Sequence, residues 1–152
     1  MERRLVALVA AVAVAVVVSA GSVGAAEAGR PFATTLTGTA EAPGPGDPDA
    51  SGSAAIVLNQ GSGTVCFDVS WVNVDGTVVA SHIHLAPAGV AGGVVVPLFV
   101  DAAFGGTGAF SGGTTGVDRD LIKAIRHDPS AYYVNVHSTV FPAGAVRGQL
   151  SK

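Results

Sequence analysis

Three of the four histidines in this chain fall in two short, otherwise apolar segments, Ser81-His82-Ile83-His84 and Tyr133-Val134-Asn135-Val136-His137. Both segments read as β-strands, in which side chains at i and i+2 share a face. His82 and His84 therefore project from one side of the first strand, and Asn135 and His137 from one side of the second. If the two strands lie near each other, three imidazoles converge. Imidazole nitrogen binds zinc at ~2.0–2.1 Å and suits copper equally well. One reading is thus a mononuclear copper or zinc site of His82, His84 and His137, with Glu41 or Asn135 orienting the rings from outside. The other is a structural polar cluster, in which the same rings hydrogen-bond to backbone, Asn135 or Glu41 without any metal. The residues leave both open. His127 closes a helical segment, where it suits the last carbonyls and the helix dipole. Arg147 is expected to tie a strand end to neighbouring carbonyls or to Glu41, the other role for it being to hold a ligand carboxylate.

Further chemistry is scarce. The chain has no G-x-S-x-G nucleophile elbow and no H-E-x-x-H helix. Carboxylates are few, and none is grouped with a serine or cysteine and a histidine in a way that would build a nucleophile. The single cysteine, Cys66, cannot form an internal disulfide, so packing must supply the stability. It is expected to be a buried, inert thiol. These features argue against an enzyme.

The N-terminus bears on compartment. Arg3 and Arg4 precede an apolar run of 14 residues from Leu5 to Val18, followed by small residues from Ser19 to Ala26. A basic start, an apolar stretch of this length and a small-residue zone describe a secretory signal peptide over 1–26, cleaved near 25/26. An uncleaved anchor is the competing reading, but a spanning helix needs ~20 predominantly apolar residues, and Ser19, Gly21, Ser22 and Gly24 dilute the second half. No later segment is long and apolar enough to span. The mature chain of about 126 residues is one domain, secreted and extracellular. Loss of Glu2, Arg3 and Arg4 from eleven acidic and eight basic residues leaves ten and six, a net charge of −4. The basic residues are scattered, so a nucleic-acid partner is not expected.

Glycine and proline punctuate the rest. Phe32 to Ala40 reads as a strand, and Ala42 to Asp49 as a proline-rich loop. Ser53 to Leu58 and Thr64 to Val72 make a hairpin about a glycine turn, the second strand turning Val65, Phe67, Val69 and Trp71 to one face. Val78 to Leu85 carries the paired histidines. Val94 to Val100 looks buried on both faces, and Thr107 to Ser111 is a short strand among glycines. Leu121, Ile122 and Ile125 keep helical spacing in a segment capped by Asp118 and stopped by Asp128-Pro129. Tyr132 to Thr139 and Ala145 to Leu150 are the last strands. The fold class is all-β: a Greek-key β-sandwich of about seven or eight strands with one short helix near 118–127.

Several of these segments, in order, resemble the CHRD domain, the repeated module of chordin that is widespread in bacterial secreted proteins. Leu36-Thr37-Gly38-Thr39-Ala40-Glu41-Ala42-Pro43 is similar to its opening L-x-G-x-x-E-x-P. Gly52, Val65-Cys66-Phe67-Asp68-Val69, and Ser81-His82-Ile83-His84 running into Gly89, Gly92 and Val94 to Leu98 resemble its middle. Tyr132 to Ser138 and Gly144-Ala145-Val146-Arg147-Gly148-Gln149-Leu150 resemble its end. The resemblance covers 32–150 and implies a secreted all-β module. Ala145 departs from it, because the family usually has an acidic residue there. A copper–zinc superoxide dismutase analogue is also a Greek-key sandwich with an H-x-H strand, but its dinuclear centre needs more histidines than the four present.

Two functional classes follow. The first is a non-enzymatic extracellular binding or structural module, whose loops from Glu41 to Gly52 and from Ala86 to Gly93 meet an extracellular protein or surface polymer. The second is an exported mononuclear copper- or zinc-binding protein.

Overall fold

Alternation of apolar and polar residues decides which way each strand faces, and here it yields an eight-stranded antiparallel fold. The computed structural model describes residues 31–152, so the expected signal segment over 1–26 lies outside the described residues. The strands are β1 (Phe32–Thr37), β2 (Ser51–Asn59), β3 (Thr64–Val72), β4 (Val78–Leu85), β5 (Gly93–Phe99), β6 (Gly108–Thr114), β7 (Tyr132–Ser138) and β8 (Val146–Gln149). One α-helix, α1 (Arg119–His127), precedes β7. All pairings are antiparallel, in the single order β5-β4-β7-β8-β1-β2-β3-β6. The chain crosses between the two halves of this sheet after β3, after β5 and after β6. The edge strands nearly close the sheet on itself, since Thr114 Oγ1 of β6 donates to Pro97 O of β5 at 2.6 Å. The all-β expectation with one helix holds, and the layers are the two halves of one rolled sheet.

The core lies between those halves. Ile56, Val65, Val69 and Trp71 from β2 and β3 face Ile83, Val96, Val134, Val136 and Val146 from the other half, and all are essentially inaccessible. Helix α1 covers part of this core with Ile122 and Ile125. Its N-terminus forms because Asp118 Oδ1 accepts from the N–H groups of Asp120 and Leu121, at 2.7 and 3.1 Å, which satisfies donors a first turn leaves open. Among the described residues no helix is long and apolar enough to cross a membrane.

Two expectations are corrected. Cys66 is exposed rather than buried. Strand periodicity explains it: Val65, Phe67, Val69 and Trp71 take the inner face of β3, leaving Cys66 with Asp68 on the outer one. Val94 to Val100 is not buried on both faces, because Val94 and Val100 are about half exposed while Val96 is fully buried. β5 is an edge strand, paired only to β4. Pro97, which has no N–H to donate, fits that position.

The register of three strands sets the polar face. β4 meets β7 with His82 opposite Asn135, His84 opposite Tyr133 and Ala80 opposite His137. β7 meets β8 with Asn135 opposite Arg147 and Tyr133 opposite Gln149. These polar residues share the outer face, while Ile83, Val134, Val136 and Val146 form the inner one. Ile83, between the two β4 histidines and 0% exposed, anchors that arrangement. Ile83→Ala is expected to lower unfolding free energy by about 2–5 kcal/mol, measured by urea denaturation. A change below about 0.5 kcal/mol would contradict the packing described.

Candidate metal centre

His82, His84 and His137 meet on the outer face of β4 and β7, and one candidate ligand atom from each lies within 4.8 Å of the others. His82 Nδ1 stands 3.0 Å from His137 Nε2. Ring centroids are 4.9 Å apart for His82 and His137, 5.5 Å for His82 and His84, and 5.9 Å for His84 and His137. Three nitrogens bound tetrahedrally to one ion at ~2.0–2.1 Å stand roughly 3.3–3.4 Å apart, so ring movements of about an ångström would seat an ion. Among the described residues, no carboxylate or thiolate belongs to this group.

Backbone carbonyls fix the ring nitrogens. His84 Nδ1 lies 2.9 Å from Gly92 O, and His137 Nδ1 lies 3.1 Å from Pro142 O. A carbonyl only accepts, so both Nδ1 atoms carry the proton and both Nε2 atoms present a lone pair. His82 Nδ1 then donates to His137 Nε2. If His82 moves that proton to its own Nε2, its Nδ1 lone pair also faces the group. His84 Nε2 is buried and has no hydrogen-bond partner.

A polar shell encloses the rings. The Tyr133 ring, between His84 of β4 and Arg147 of β8, stacks on His84 at 4.7 Å with an interplanar angle of 9°. Arg147 Cζ lies 3.4 Å from the Tyr133 ring centroid. Arg147 is only 1% exposed, and its guanidinium donates to Val90 O at 2.8 Å, Pro87 O at 2.9 Å and Gln149 Oε1 at 3.3 Å. Gln149 Nε2 donates to Ala86 O and Ser130 O, at 2.6 and 2.8 Å. The 86–92 loop is thereby clasped over β7 and β8. At its end Gly92 accepts from His84 and donates to the Tyr133 hydroxyl at 3.2 Å. A Cβ on Gly92 would strike Leu85 O, so only glycine brings the chain this close. On the other side, the 41–47 loop is held by Gly46 N–H donating to Gly38 O at 3.0 Å and Asp47 N–H donating to Ala145 O at 2.8 Å.

This enclosure keeps the imidazoles neutral. Burial pushes His82 down to about 4, helped by the neighbouring His137 and His84. His84 is also lowered by burial, against the opposing pull of Gly92 O and Asn135, with Arg147 adding to the lowering. Burial lowers His137 against Pro142 O, and His84 lowers it further. Glu41 goes the other way: burial raises it to about 7, opposed by Arg147, the Ala42 N–H and Asn135. At neutral pH three uncharged imidazoles therefore offer lone pairs.

The residues singled out from sequence fall as follows. His82, His84 and His137 come together; His127 ends α1 and is outside the group. Asn135 sits beside the triad, 1% exposed, but neither of its amide atoms makes a hydrogen bond. It bears on both Glu41 and His84 without completing a bond to either. Glu41 packs against Gly144, and its Oε1 is buried and unpartnered. The rings of His84 and His137 donate to the carbonyls of Gly92 and Pro142, and Asn135 stands beside His84. Arg147 binds carbonyls. Ala145 is fully buried. Sequence reasoning missed Tyr133, although its place two residues before Asn135 put it on the same face.

A family model described as the CHRD domain matches residues 32–150. No curated protein and no solved structure matches the chain.

The pKa shifts carry a stability signature in the metal-free protein. An imidazole whose pKa falls from 6.5 to about 4 on folding holds fewer protons folded than unfolded between those values. Its contribution is complete above pH 6.5 and is lost as pH falls toward 4. Glu41, raised from 4.5 to about 7, acts oppositely, costing stability as pH rises from 4.5 to 7. Urea midpoints of His82→Ala should fall less than wild type between pH 6.5 and 4, and those of Glu41→Gln should lose the decline from 4.5 to 7. Parallel pH profiles for all three proteins would refute these assignments.

Proposed function

We propose that this chain, which belongs to the CHRD family, is an exported, non-enzymatic module that binds one copper or zinc ion through His82, His84 and His137. The observation that carries the reading is the meeting of three imidazole ligand atoms within 4.8 Å, one of them, His84 Nε2, buried without a partner. A buried polar atom left unpaired costs about 1–3 kcal/mol, and an ion at this point would satisfy it. The Nδ1 contacts to Gly92 O and Pro142 O are the outer-shell arrangement that orients metal-binding imidazoles and fixes their tautomers. Neutral rings at pH 7 need release no proton to bind, so uptake should persist into mildly acidic solution.

Export is inferred from the basic and apolar pattern over 1–26, and storage, delivery or redox protection are the roles that suit such a site outside the cell. The scattered basic residues weigh against nucleic acid. An extracellular protein or surface polymer is the macromolecular partner consistent with this compartment.

The test is metal content and melting of the purified protein. One equivalent of Cu²⁺ or Zn²⁺ should survive desalting, and metal at 100 times its dissociation constant should stabilise the fold by ~2.7 kcal/mol. A His82→Ala/His84→Ala variant should show neither. Equal stabilisation of the variant, or none in wild type, would exclude the triad as a binding site. Export is checked separately by intact mass of the native product, which should begin near residue 26 or 27 rather than at Met1.

A further inference from the structure

We propose that an ion held by His82, His84 and His137 keeps a fourth position open to a small exogenous anion, with the Asn135 amide as its hydrogen-bond donor. This rests on the metal reading above. The donor set is the first argument. All three candidate ligands are neutral imidazoles, and among the described residues no carboxylate or thiolate joins the group. Cys66, the only thiol, is on β3 in the other half of the sheet. A divalent ion here would keep both its charges, and three-ligand sites characteristically hold water or substrate in the remaining position.

Exposure is the second. His84 is buried at 6% exposure, whereas His82 and His137 are only half-buried. An ion among these rings is backed by protein on the His84 side and open toward solvent between the other two.

Asn135 is the third and independent argument. It is 1% exposed, and neither Nδ2 nor Oδ1 has a hydrogen-bond partner. Buried polar groups left unpaired are uncommon in folded proteins. Strand register puts Asn135 directly opposite His82 and two residues from His137 on the same face. A metal ion would satisfy His84 Nε2, but it cannot satisfy the amide N–H of Asn135; an anion on that ion can. Arg147 faces Asn135 across the next strand pair. Its Nη1 and Nη2 donate to Val90 O, Pro87 O and Gln149 Oε1, which holds the guanidinium in place as a fixed positive field beside the site. The nearby carboxylate, Glu41, is outside the ligand group. Were it to swing onto the metal, it would occupy the position assigned here to the anion.

The experiment loads the purified protein with one equivalent of Cu²⁺, confirms copper content after desalting, and titrates sodium azide. Azide-to-copper charge-transfer absorption and the copper EPR spectrum are the readouts. Saturable growth of the band at constant copper content is the expected result. Asn135→Leu should retain copper and bind azide about ten-fold or more weakly, since it loses one hydrogen bond to a charged acceptor. Retained copper with no azide response, or copper stripped by azide, would overturn the open fourth position whatever the variant does. Equal azide affinity in a folded, copper-loaded Asn135→Leu would overturn the role of Asn135. Failure to take up either Cu²⁺ or, in a parallel loading, Zn²⁺ would instead refute the metal reading, and this inference with it.

Discussion

The site depends on the register between β4 and β7. A strand's side chains alternate with a period of two, so a slip of one residue would carry every histidine of one strand to the opposite face. What prevents the slip is the inner side of the same strands. Ile83, Val134 and Val136 are fully buried, and exchanging them with His82, Asn135 and His137 would put polar side chains in the core and aliphatic ones in water. A buried hydroxyl adds to this, as Ser81 Oγ donates to Asn135 O at 2.7 Å across the pair. The histidine geometry is therefore a by-product of hydrophobic sorting. Nothing about the rings themselves has to drive the strands together.

The outer face of a curled sheet is normally wet, yet Asn135 and Arg147 are almost inaccessible there. Two loops account for it, the 86–92 loop clasped by Arg147 and Gln149 and the 41–47 loop tied to Gly38 and Ala145. Arg147 suits this work because its planar guanidinium can stack on Tyr133 and still donate along its edge to carbonyls. Lysine, a point charge on a flexible stem, could do only one of these. The same roof removes water from the imidazoles and lowers their basicity. Packing, tautomer and charge state thus share one cause.

Much of this was legible in the residues. The i, i+2 pairing of His82 with His84, and of Asn135 with His137, set the faces before any pairing of strands was known. The hairpin of β2 and β3, the Asp118 cap and the end of α1 at Asp128-Pro129 also follow from local rules. What local rules could not supply was adjacency. That β7 lies between β4 and β8, bringing Tyr133 between His84 and Arg147, is a non-local fact of topology. The acceptor roles of Gly92 O and Pro142 O were hidden for another reason, since backbone carbonyls leave no mark in side-chain patterns. The misjudged positions are equally instructive. Cys66 was expected inside on residue type, when its place among Asp68 and Ser70 already put it outside. The Val94 to Val100 run reads as a central strand by composition, while Pro97 fits an edge.

The contact between Thr114 and Pro97 has a consequence for how this protein behaves among its own copies. An open sheet presents two bare margins, each a template for intermolecular strand addition. Here the margins lean on one another through a hydroxyl, one bearing a residue with no N–H to lend and the other studded with glycine. With that contact and the proline in place, the seam is a poorer template for an incoming strand than two free edges would be.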